Sequence, residues 1–375
     1  MPYNPENIYF YLMRRHRLCD VRGGYYKHES FNSMGSNSLV LVLAFAAFLS
    51  AAALTGKIRT YALSAGIVDE VNARASHSIP TPRGGGAAIV IVATVGFLTS
   101  TLWLGFPIRL ACGLIGGGIA VAVIGWLDDH GHVAPKIRLA THIGAASWAA
   151  IWIGPLPLDF LPFWNSALEF WEWPVTVLFI AWMVNLYNFM DGIDGIAGSE
   201  AVSVGLGGTI FLGIAGAAVG MLAPSLLLIA AALGFLIWNW PPAKIFMGDA
   251  GSGFLGFTLA TLSVIAGNVA PELAAAWIIL LGIFVVDTGV TLARRMLRGE
   301  RLHEAHRTHA YQRLARHYGA HLPITSATIA ITWLWLFPIA FLVAITWLSP
   351  ISGVFIAYFP LVAIALFAGA GNLDK

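Results

Sequence analysis

Two stretches of this chain, 201–243 and 322–373, contain no charged side chain. Each is about twice as long as the roughly 20 apolar residues that a helix needs to cross a bilayer. Charged residues make up only 11% of the 375 residues, against about 25% in globular chains. Disorder is excluded, because a disordered chain needs low hydrophobicity and high charge. The sequence therefore predicts a polytopic membrane protein whose few charges are its most informative residues.

The segments between charges predict eleven membrane spans. Each uncharged stretch supplies two of them, with breaks at 220–224 and at 349–350. The single spans are 39–55, 84–104, 110–127, 139–154, 174–190, 250–271 and 273–293. We therefore predict an all-α fold, a helical bundle that spans the membrane.

The basic residues predict the orientation of this bundle. Beyond position 33, fifteen lie in loops on one side and only Arg109 lies on the other. The first side is then cytoplasmic, which puts the N-terminus outside and the C-terminus inside. Residues 1–33 conflict with this, because they carry basic residues on the predicted outer side. They contain no apolar run, so they are not a signal peptide. We expect translation to start at Met34, with a disordered leader as the alternative, and treat 34–375 as one transmembrane domain.

Most of the motif-bearing acids gather at the predicted cytoplasmic edge. Asp128 and Asp129 end the third span, where the helix dipole and their mutual repulsion disfavour two carboxylates. A divalent cation or a basic partner such as Lys136 would relieve both effects. Solvated loop acids are the alternative explanation for this pair.

The end of the fifth span carries four polar residues spaced by three: Asn185, Asn188, Asp191 and Asp194. On a helix this spacing places them along one slowly drifting stripe. Amides and carboxylates on one face can bind a polar ligand or complete an oxygen-ligand metal shell. The alternative is a helix-capping turn, which would not by itself require four polar residues.

The loop after the seventh span runs from Asn239 through Phe246 to a glycine-rich segment around Asp249. Such a segment before a span predicts free backbone N–H groups at a helix N-terminus, a ready anion site. Asp249 is placed to hold Mg²⁺ against bound phosphates, and Phe246 to stack on a base. A simple glycine-rich turn is the alternative.

Two basic loops complete this layer. The loop between the ninth and tenth spans holds His306 and His309 on either side of Arg307, and the first loop holds His77 and Arg83. Histidine pairs can bind zinc, but the chain has only two cysteines and its acids lie elsewhere. Phosphate or diphosphate binding is therefore favoured. Together these features predict Mg²⁺-dependent chemistry on a phosphorylated cytosolic substrate. A lipid phosphate in the same interface is one candidate for the acceptor or the donor.

At these motifs the chain resembles the polyprenyl-phosphate N-acetylhexosamine-1-phosphate transferases, bacterial membrane enzymes of glycosyltransferase family 4. Five motifs carry the resemblance in the family's order over 77–309. They are His77 to Gly85, Asp128-Asp129 with Lys136, Asn185 to Gly195, Asn239 to Ser252, and His306 to His309. The eleven spans and the late His-Arg-Thr-His motif look like the branch that initiates O-antigen synthesis, including the sub-branch that uses N-acetylfucosamine or N-acetylquinovosamine phosphate.

The resemblance implies that undecaprenyl phosphate attacks the β-phosphorus of a UDP-N-acetylhexosamine and that UMP leaves. It implies Mg²⁺, or Mn²⁺ in its place, on Asp249 and Asp129. Asp128 and Asp129 would serve the lipid phosphate. The uridine would contact Asp191, Asp194, Asn239 and Phe246, while His306, Arg307 and His309 would face the diphosphate or the sugar. Further expected substrate contacts come from Lys136, Asn185, Asn188, His77 and Arg83.

The resemblance also sets the expected surroundings: a bacterial inner membrane, membrane lipids as partners, no nucleic acid, and either a monomer or a homodimer. Three other functions stay open. A transporter of a phosphorylated solute would place its acids near the bilayer midplane instead of at one edge. A lipid-diphosphate hydrolase would need a nucleophile constellation that the sequence does not offer. A muramoyl-pentapeptide transferase would use the same chemistry within the same family.

Overall fold

The computed structural model describes residues 33–69, 80–131, 133–159, 161, 163–164, 167–300 and 307–372. The interpretation of residues 1–33 as a mis-called or disordered extension therefore lies outside the described residues, apart from Ser33. His77 and His306 lie outside them as well, so the roles expected for these two histidines stay predictions.

The first five predicted spans each coincide with a helix. These are α1 (Ser33–Ser64), α2 (Gly86–Trp103), α3 (Ile108–His130), α4 (Pro135–Ile153) and α5 (Glu172–Met190). Between α1 and α2, the two-residue strands β1 (Val68–Asp69) and β2 (Thr81–Pro82) pair antiparallel. Within the described part of the chain this short ladder is the whole of the strand pairing, so the all-α prediction is confirmed.

The uncharged stretch 201–243 contains two helices, as predicted, but the predicted break between them is wrong. Helix α6 (Ile196–Ile214) is followed by a turn at Gly216, whose φ of 79° is in the left-handed region that favours glycine. Helix α7 (Val219–Asn239) therefore already contains Gly220 and carries Pro224 inside it. Helix α8 (Asp249–Val269) follows after a loop over 240–248.

The ninth predicted span is not straight. It consists of α9 (Pro271–Leu280) and α10 (Gly282–Leu297), which are bent by 69° relative to each other. Helix α10 is amphipathic and buries Asp287, Thr288, Thr291 and Arg295, so its polar face turns toward the protein. The short helix α11 (Ala310–Tyr318) packs against it.

The last two spans are confirmed as helices. Helices α12 (Leu322–Ile331) and α13 (Phe337–Ala344) are joined by a π-helical turn over Thr332–Leu336, and α14 (Pro350–Phe367) begins at the predicted break. Among the described residues, nine helices are long and apolar enough to cross a membrane, or up to ten with the bent pair. The protein is thus a polytopic helical membrane protein. The count of eleven, which also includes α4, stays a prediction.

Helix α8 lies at the centre of the bundle, and the most apolar 18-residue window of its sequence is wholly buried. Close approach of α3 to α8 depends on small residues. A Cβ on Gly117 would lie 2.2 Å from the Phe257 ring, and one on Gly125 would lie 2.6 Å from the Asp249 carbonyl oxygen. These contacts bring the C-terminal end of α3 against the N-terminal end of α8, so the acids at the two ends become neighbours.

Candidate active site

Asp129 closes the N-terminus of α8. Its two carboxylate oxygens accept hydrogen bonds from the backbone N–H groups of Asp249 (3.1 Å) and Ala250 (3.2 Å). A Cβ at Gly248 would lie 2.7 Å from this carboxylate, so the approach requires glycine. The N–H of Ser252 donates to the Gly248 carbonyl. The expectation of free N–H groups here is therefore wrong for these three, because the protein's own carboxylate and a carbonyl accept from them.

Asp128 is held by a different partner from the one expected. Its carboxylate forms an ion pair with Arg138 and accepts the Val133 N–H at 2.8 Å. The same guanidinium lies 3.5 Å from the Asp249 carboxylate. Lys136 is exposed at the start of α4. Sequence reasoning missed Arg138, although two residues along a helix change its face and thereby turn Arg138 inward when Lys136 points out.

Asp191 and Asp249 carry negative charge that the protein only partly neutralises. Asp191 follows the last residue of α5, and no described residue forms a hydrogen bond or ion pair with its carboxylate. Burial, followed by the negative charges of Asp249, Asp129 and Asp194, raises the pKa of Asp191 well above its usual value. The Asp249 side chain is 36% exposed, lies 3.5 Å from Arg138 and accepts a hydrogen bond from Asn188. Negative charge is thus left uncompensated between the ends of α5 and α8.

The stripe of polar residues predicted at the end of α5 is only partly present. Asn188 donates to the Ser252 hydroxyl at 3.1 Å and so faces α8. Asn185 donates to a carbonyl of its own helix at 2.8 Å. Because α5 ends at Met190, Asp194 leaves the helical stripe and lies in the turn before α6. The helical face therefore carries the amides, and the two aspartates diverge.

Asp194 anchors the loop over 240–248. One of its oxygens accepts the Ala243 N–H at 2.9 Å, and the other lies 3.1 Å from Nδ1 of His321. Its backbone carbonyl accepts from the Thr325 hydroxyl at 2.8 Å. The carboxyl group is buried and fully engaged by the protein. The uridine contact expected for Asp194 stays a prediction, whereas its structural contacts are clear.

Asn239 joins the same two segments. Its side-chain oxygen accepts the Gly195 N–H at 3.0 Å, and its amide nitrogen donates to the Ile245 carbonyl at 2.9 Å. Gly195 has φ 75°, so the turn that offers this N–H is one that glycine adopts readily. Asn239 is 4% exposed, and we infer that it fixes the loop from beneath. Its expected contact with uridine stays a prediction.

The first predicted cytoplasmic loop lies against the same segment. The Phe246 N–H donates to the Pro82 carbonyl at 2.8 Å, and the Gly85 N–H donates to the Phe246 carbonyl at 2.9 Å. Arg83 donates to the backbone carbonyl of Asp129 at 2.6 Å. The Phe246 ring is half-buried. Arg83 and the backbone of Phe246 therefore lie close to the Asp129 and Asp249 segments, and their expected substrate contacts stay predictions.

Asp287 fixes the start of α11 and with it His309. It accepts the N–H groups of Ala310 and Tyr311, both at 2.9 Å, and lies 3.3 Å from Nδ1 of His309. His309 is 1% exposed, and its ring centre lies 6.2 Å from that of Phe189 at the end of α5. Asp287 lies near the end of the predicted ninth span, 273–293, and the sequence motifs assign it no role. A single acid near the end of an otherwise apolar span was the available signal.

The segment just before α11 is bound by the end of that helix and by the residues that follow α14. The Arg307 carbonyl accepts from Arg316 at 2.9 Å, and the Thr308 carbonyl accepts the Gly371 N–H at 2.7 Å. These contacts fix the backbone before α11, and the contact expected between Arg307 and the diphosphate or sugar stays a prediction. His306 lies outside the described residues.

These contacts bring together a set of residues that we call the acid layer: Asp128, Asp129, Asp249, Asn188, Arg138 and Arg83, with Asp191 beside them. No three His, Cys, Asp or Glu side chains of the described residues converge as a ready metal cage. Mg²⁺ is commonly held by one or two carboxylates together with substrate phosphates and water. The uncompensated carboxylates of Asp191 and Asp249 fit that kind of site.

Comparison with known proteins matches residues 111–267 to the model of Glycosyl transferase family 4. The probable undecaprenyl-phosphate N-acetylglucosaminyl 1-phosphate transferase of Bacillus subtilis is 34% identical over 281 residues, which cover 73% of this chain and 77% of that protein. The decaprenyl-phosphate N-acetylglucosaminephosphotransferase of Mycolicibacterium smegmatis is 30% identical over 332 residues, with 76% and 77% covered.

A shorter match joins the chain to the phospho-N-acetylmuramoyl-pentapeptide-transferase of Synechococcus elongatus. It is 32% identical over 188 residues, which cover 45% of this chain and 49% of that protein. All of the motif-bearing acids except Asp287 fall within the matched segment 111–267. The two N-acetylglucosamine phosphate transferases are matched over more than three quarters of their length, and on this basis the chain belongs to glycosyl transferase family 4, the polyprenyl-phosphate N-acetylhexosamine-1-phosphate transferases.

Proposed function

We propose that this protein transfers an N-acetylhexosamine 1-phosphate from a UDP-sugar to undecaprenyl phosphate. An oxygen of the lipid phosphate forms a bond to the β-phosphorus of the UDP-sugar. The bond from that phosphorus to the bridging oxygen breaks, and UMP leaves with the electron pair. The observation that carries the proposal is the pair of carboxylates at Asp191 and Asp249. No described residue pairs with Asp191, and Asp249 is partly exposed 3.5 Å from the Arg138 guanidinium. This arrangement suits a metal-bridged diphosphate.

Asp249 and Asp191 would hold Mg²⁺, with Asp129 behind Asp249 as a fixed support for the helix end. The bound cation would neutralise the diphosphate and stabilise charge on the leaving phosphate. A metal ligand needs an oxygen whose lone pairs face open space. The 36% exposure of the Asp249 side chain meets that need, whereas both oxygens of Asp129 already accept backbone N–H groups.

Arg138 would orient the reacting phosphates. It already pairs with Asp128 and reaches toward Asp249, so it lies between the carboxylate expected at the lipid phosphate and the one expected at the metal. Exposed Lys136 would meet the lipid phosphate at the membrane surface. A phosphate monoester is largely anionic near neutral pH, so Asp128 needs only to position the acceptor. Most of the rate enhancement then comes from positioning and charge neutralisation.

Arg307 would face the diphosphate or the sugar, at the start of α11. His309 would act behind it, because its buried ring contacts Asp287 and Phe189. The Phe246 ring would contact the uracil base from the other side of the acid layer. Base stacking on a half-buried aromatic side chain is a common mode of nucleotide recognition.

The proposed location is the cytoplasmic face of a bacterial inner membrane. The basic residues beyond position 33 support it, because fifteen of sixteen lie on the side of the acid layer. The product, a lipid-diphosphate sugar, would start the synthesis of O-antigen or another envelope glycan. The proposed donor is UDP-N-acetylglucosamine or a related UDP-N-acetylhexosamine. The names of the Bacillus subtilis and Mycolicibacterium smegmatis relatives suggest this donor.

A second candidate is muramoyl-pentapeptide phosphate transfer, favoured by the 32% identity to the Synechococcus elongatus enzyme. That match covers only about half of either chain. The N-acetylglucosamine phosphate relatives are matched over longer segments and support the first proposal more strongly.

The test offers the purified protein Mg²⁺, undecaprenyl phosphate and a panel of UDP-sugars that includes the muramoyl-pentapeptide donor, and measures UMP release. We expect release that requires the lipid and one N-acetylhexosamine donor. Release with the muramoyl-pentapeptide donor alone would favour the second candidate. Release without lipid would indicate hydrolysis. Solute counterflow into proteoliposomes without UMP release would indicate transport. Asp249→Asn serves as the inactive control.

A further inference from the structure

An open groove of about 550 Å³ lies between the end of α1 and the end of α7. The residues that matter for its chemistry are Lys57, Thr60, Tyr61 and Trp238. None of its lining residues is acidic, and none belongs to the acid layer described above. The groove is therefore a separate surface of the bundle, for which the proposed transfer reaction gives no role.

The apolar wall of this groove is the Trp238 indole, which two contacts hold in place. The Trp238 indole N–H donates to the Ala52 carbonyl at 2.8 Å. Gly56 lies directly against the ring, because a Cβ built there would be 2.8 Å from it. These two contacts fix the indole between the helices and leave its outer part to form the wall. Such a wall can accept the first carbons of an acyl chain without rearrangement.

Two ammonium groups flank this wall. Lys57 is exposed on α1 and lines the groove. The Lys244 ammonium lies 5.7 Å from the centre of the Trp238 ring. Neither ammonium forms an ion pair with a described residue. Two cations that no described residue pairs, at a groove whose lining contains no acid, favour an anionic ligand.

The span ends predicted from the sequence put the groove near the lipid head groups. The predicted first span ends at residue 55, just before Lys57, and α7 ends at Asn239, one residue after Trp238. Tyr61 is 64% exposed on the next turn of α1. Tryptophan, tyrosine and lysine together are typical of the interface between hydrocarbon and water, where anionic lipids attract basic side chains.

We propose that this groove binds an anionic glycerophospholipid of the surrounding bilayer, with its phosphate between Lys57 and Lys244 and an acyl chain along Trp238. The lipid is not the acceptor substrate. Helix α1 packs mainly on α2 and α7, and no residue of the acid layer lines the groove. This inference is independent of the proposed transfer reaction.

The bound lipid would steady the loop over 240–248. Arg59 donates to the Lys244 carbonyl at 3.1 Å, and the Lys244 N–H donates to the Trp238 carbonyl at 2.7 Å. The same loop continues through Phe246 to Asp249. A lipid that holds the Lys244 side chain therefore restrains the segment that positions Asp249.

The experiment measures lipid binding to the full-length protein by native mass spectrometry, after exchange into phosphatidylcholine nanodiscs that contain phosphatidylglycerol. The test variant is Lys57→Gln with Lys244→Gln. Its matched control is Arg109→Gln, which removes an exposed basic residue from the start of α3, at the end of that helix opposite the acid layer. We expect phosphatidylglycerol to bind the double variant about thirtyfold more weakly, since each lysine near a bilayer surface contributes about fivefold. The control should bind it as the unmodified protein does.

Three outcomes would overturn the inference. The double variant could retain phosphatidylglycerol fully, or the Arg109→Gln control could lose it equally. In a third arm, undecaprenyl phosphate replaces phosphatidylglycerol. Loss of that lipid alone from the double variant would assign the groove to the acceptor substrate instead. Thermal unfolding in phosphatidylcholine alone checks that both lysine changes leave the fold intact. The binding readout requires no enzyme activity, so it is unaffected by failure of the proposed function.

Discussion

Aspartates at the same edge of the bundle have opposite surroundings. Asp194 and Asp287 each accept two or more contacts from buried groups of the protein. Asp191 receives no hydrogen bond from a described residue, and the Asp249 carboxylate is 36% exposed, with Arg138 at 3.5 Å and Asn188 as side-chain partners. The sequence places all four at span ends and does not distinguish them. In the structure the four carboxylates differ in the groups that donate hydrogen bonds to them.

This difference has an energetic meaning. A carboxylate that accepts backbone N–H groups stabilises the segment it caps, because those donors would otherwise be buried without a partner. A buried carboxylate beside other carboxylates costs folding free energy. Asp191 and Asp249 therefore weaken the fold, and such residues are typical of functional sites. Substitutions in the two groups should consequently affect different measurements.

The largest effect is expected for Asp249→Asn. It removes the charge that would hold the metal, while the backbone N–H at 249 still donates to Asp129. We expect at least a thousandfold loss in the rate of UMP release, equivalent to about 4 kcal/mol of transition-state stabilisation. The thermal unfolding midpoint should change by no more than about 2 °C, since the asparagine keeps an acceptor oxygen for Asn188 and loses only the distant ion pair with Arg138. Turnover close to that of the unmodified protein would refute the metal role.

Asp191→Asn should lower the rate about a hundredfold and leave stability equal or higher. The change removes one of several mutually repelling carboxylates and breaks no hydrogen bond of the described residues. The measurements are UMP release and the unfolding midpoint on one preparation. A clear drop in the midpoint would show that Asp191 stabilises the fold as Asp194 and Asp287 do.

The positions of the helices and the gathering of acids at one edge could be predicted from sequence. Both depend on local pattern, since apolar runs define spans and charges collect where spans end. The partners of those acids could not be predicted. Asp129 meets α8 some 120 residues along the chain, and the sequence alone gave no means of pairing two span ends that far apart.

Two local features were also beyond the sequence pattern. The bend at Leu281 interrupts an apolar run that looks continuous, and the turn at Gly216 lies upstream of the more obvious Pro224. The choice of Arg138 over Lys136 as the partner of Asp128 follows from the direction of α4 relative to α3. Such directions are set by tertiary packing.

Asp194→Ala should affect stability first and activity second. It leaves the Ala243 N–H and the His321 ring without their buried acceptor, which costs about 2–4 kcal/mol. We expect a clearly lower unfolding midpoint, with about tenfold slower UMP release from the protein that remains folded, because the loop that carries Asp249 loses its anchor. An unchanged midpoint combined with a higher KM for the UDP-sugar would instead support the uridine contact predicted from sequence.

The smallest effect is expected for Asp287→Ala, which frees the N–H groups of Ala310 and Tyr311 at the start of α11. Loss of a helix cap costs about 1–2 kcal/mol, and α11 is short, so the loss should appear as local opening instead of global unfolding. Hydrogen exchange should speed up over Ala310–Tyr318 and stay unchanged in α8, with UMP release slowed only a few fold. Thr291→Val is the matched control, because it removes a hydroxyl that touches Asp287 and leaves the cap in place. Equal exchange in the two variants would show that the Asp287 carboxylate does not hold α11, and His309 would then lose its main support.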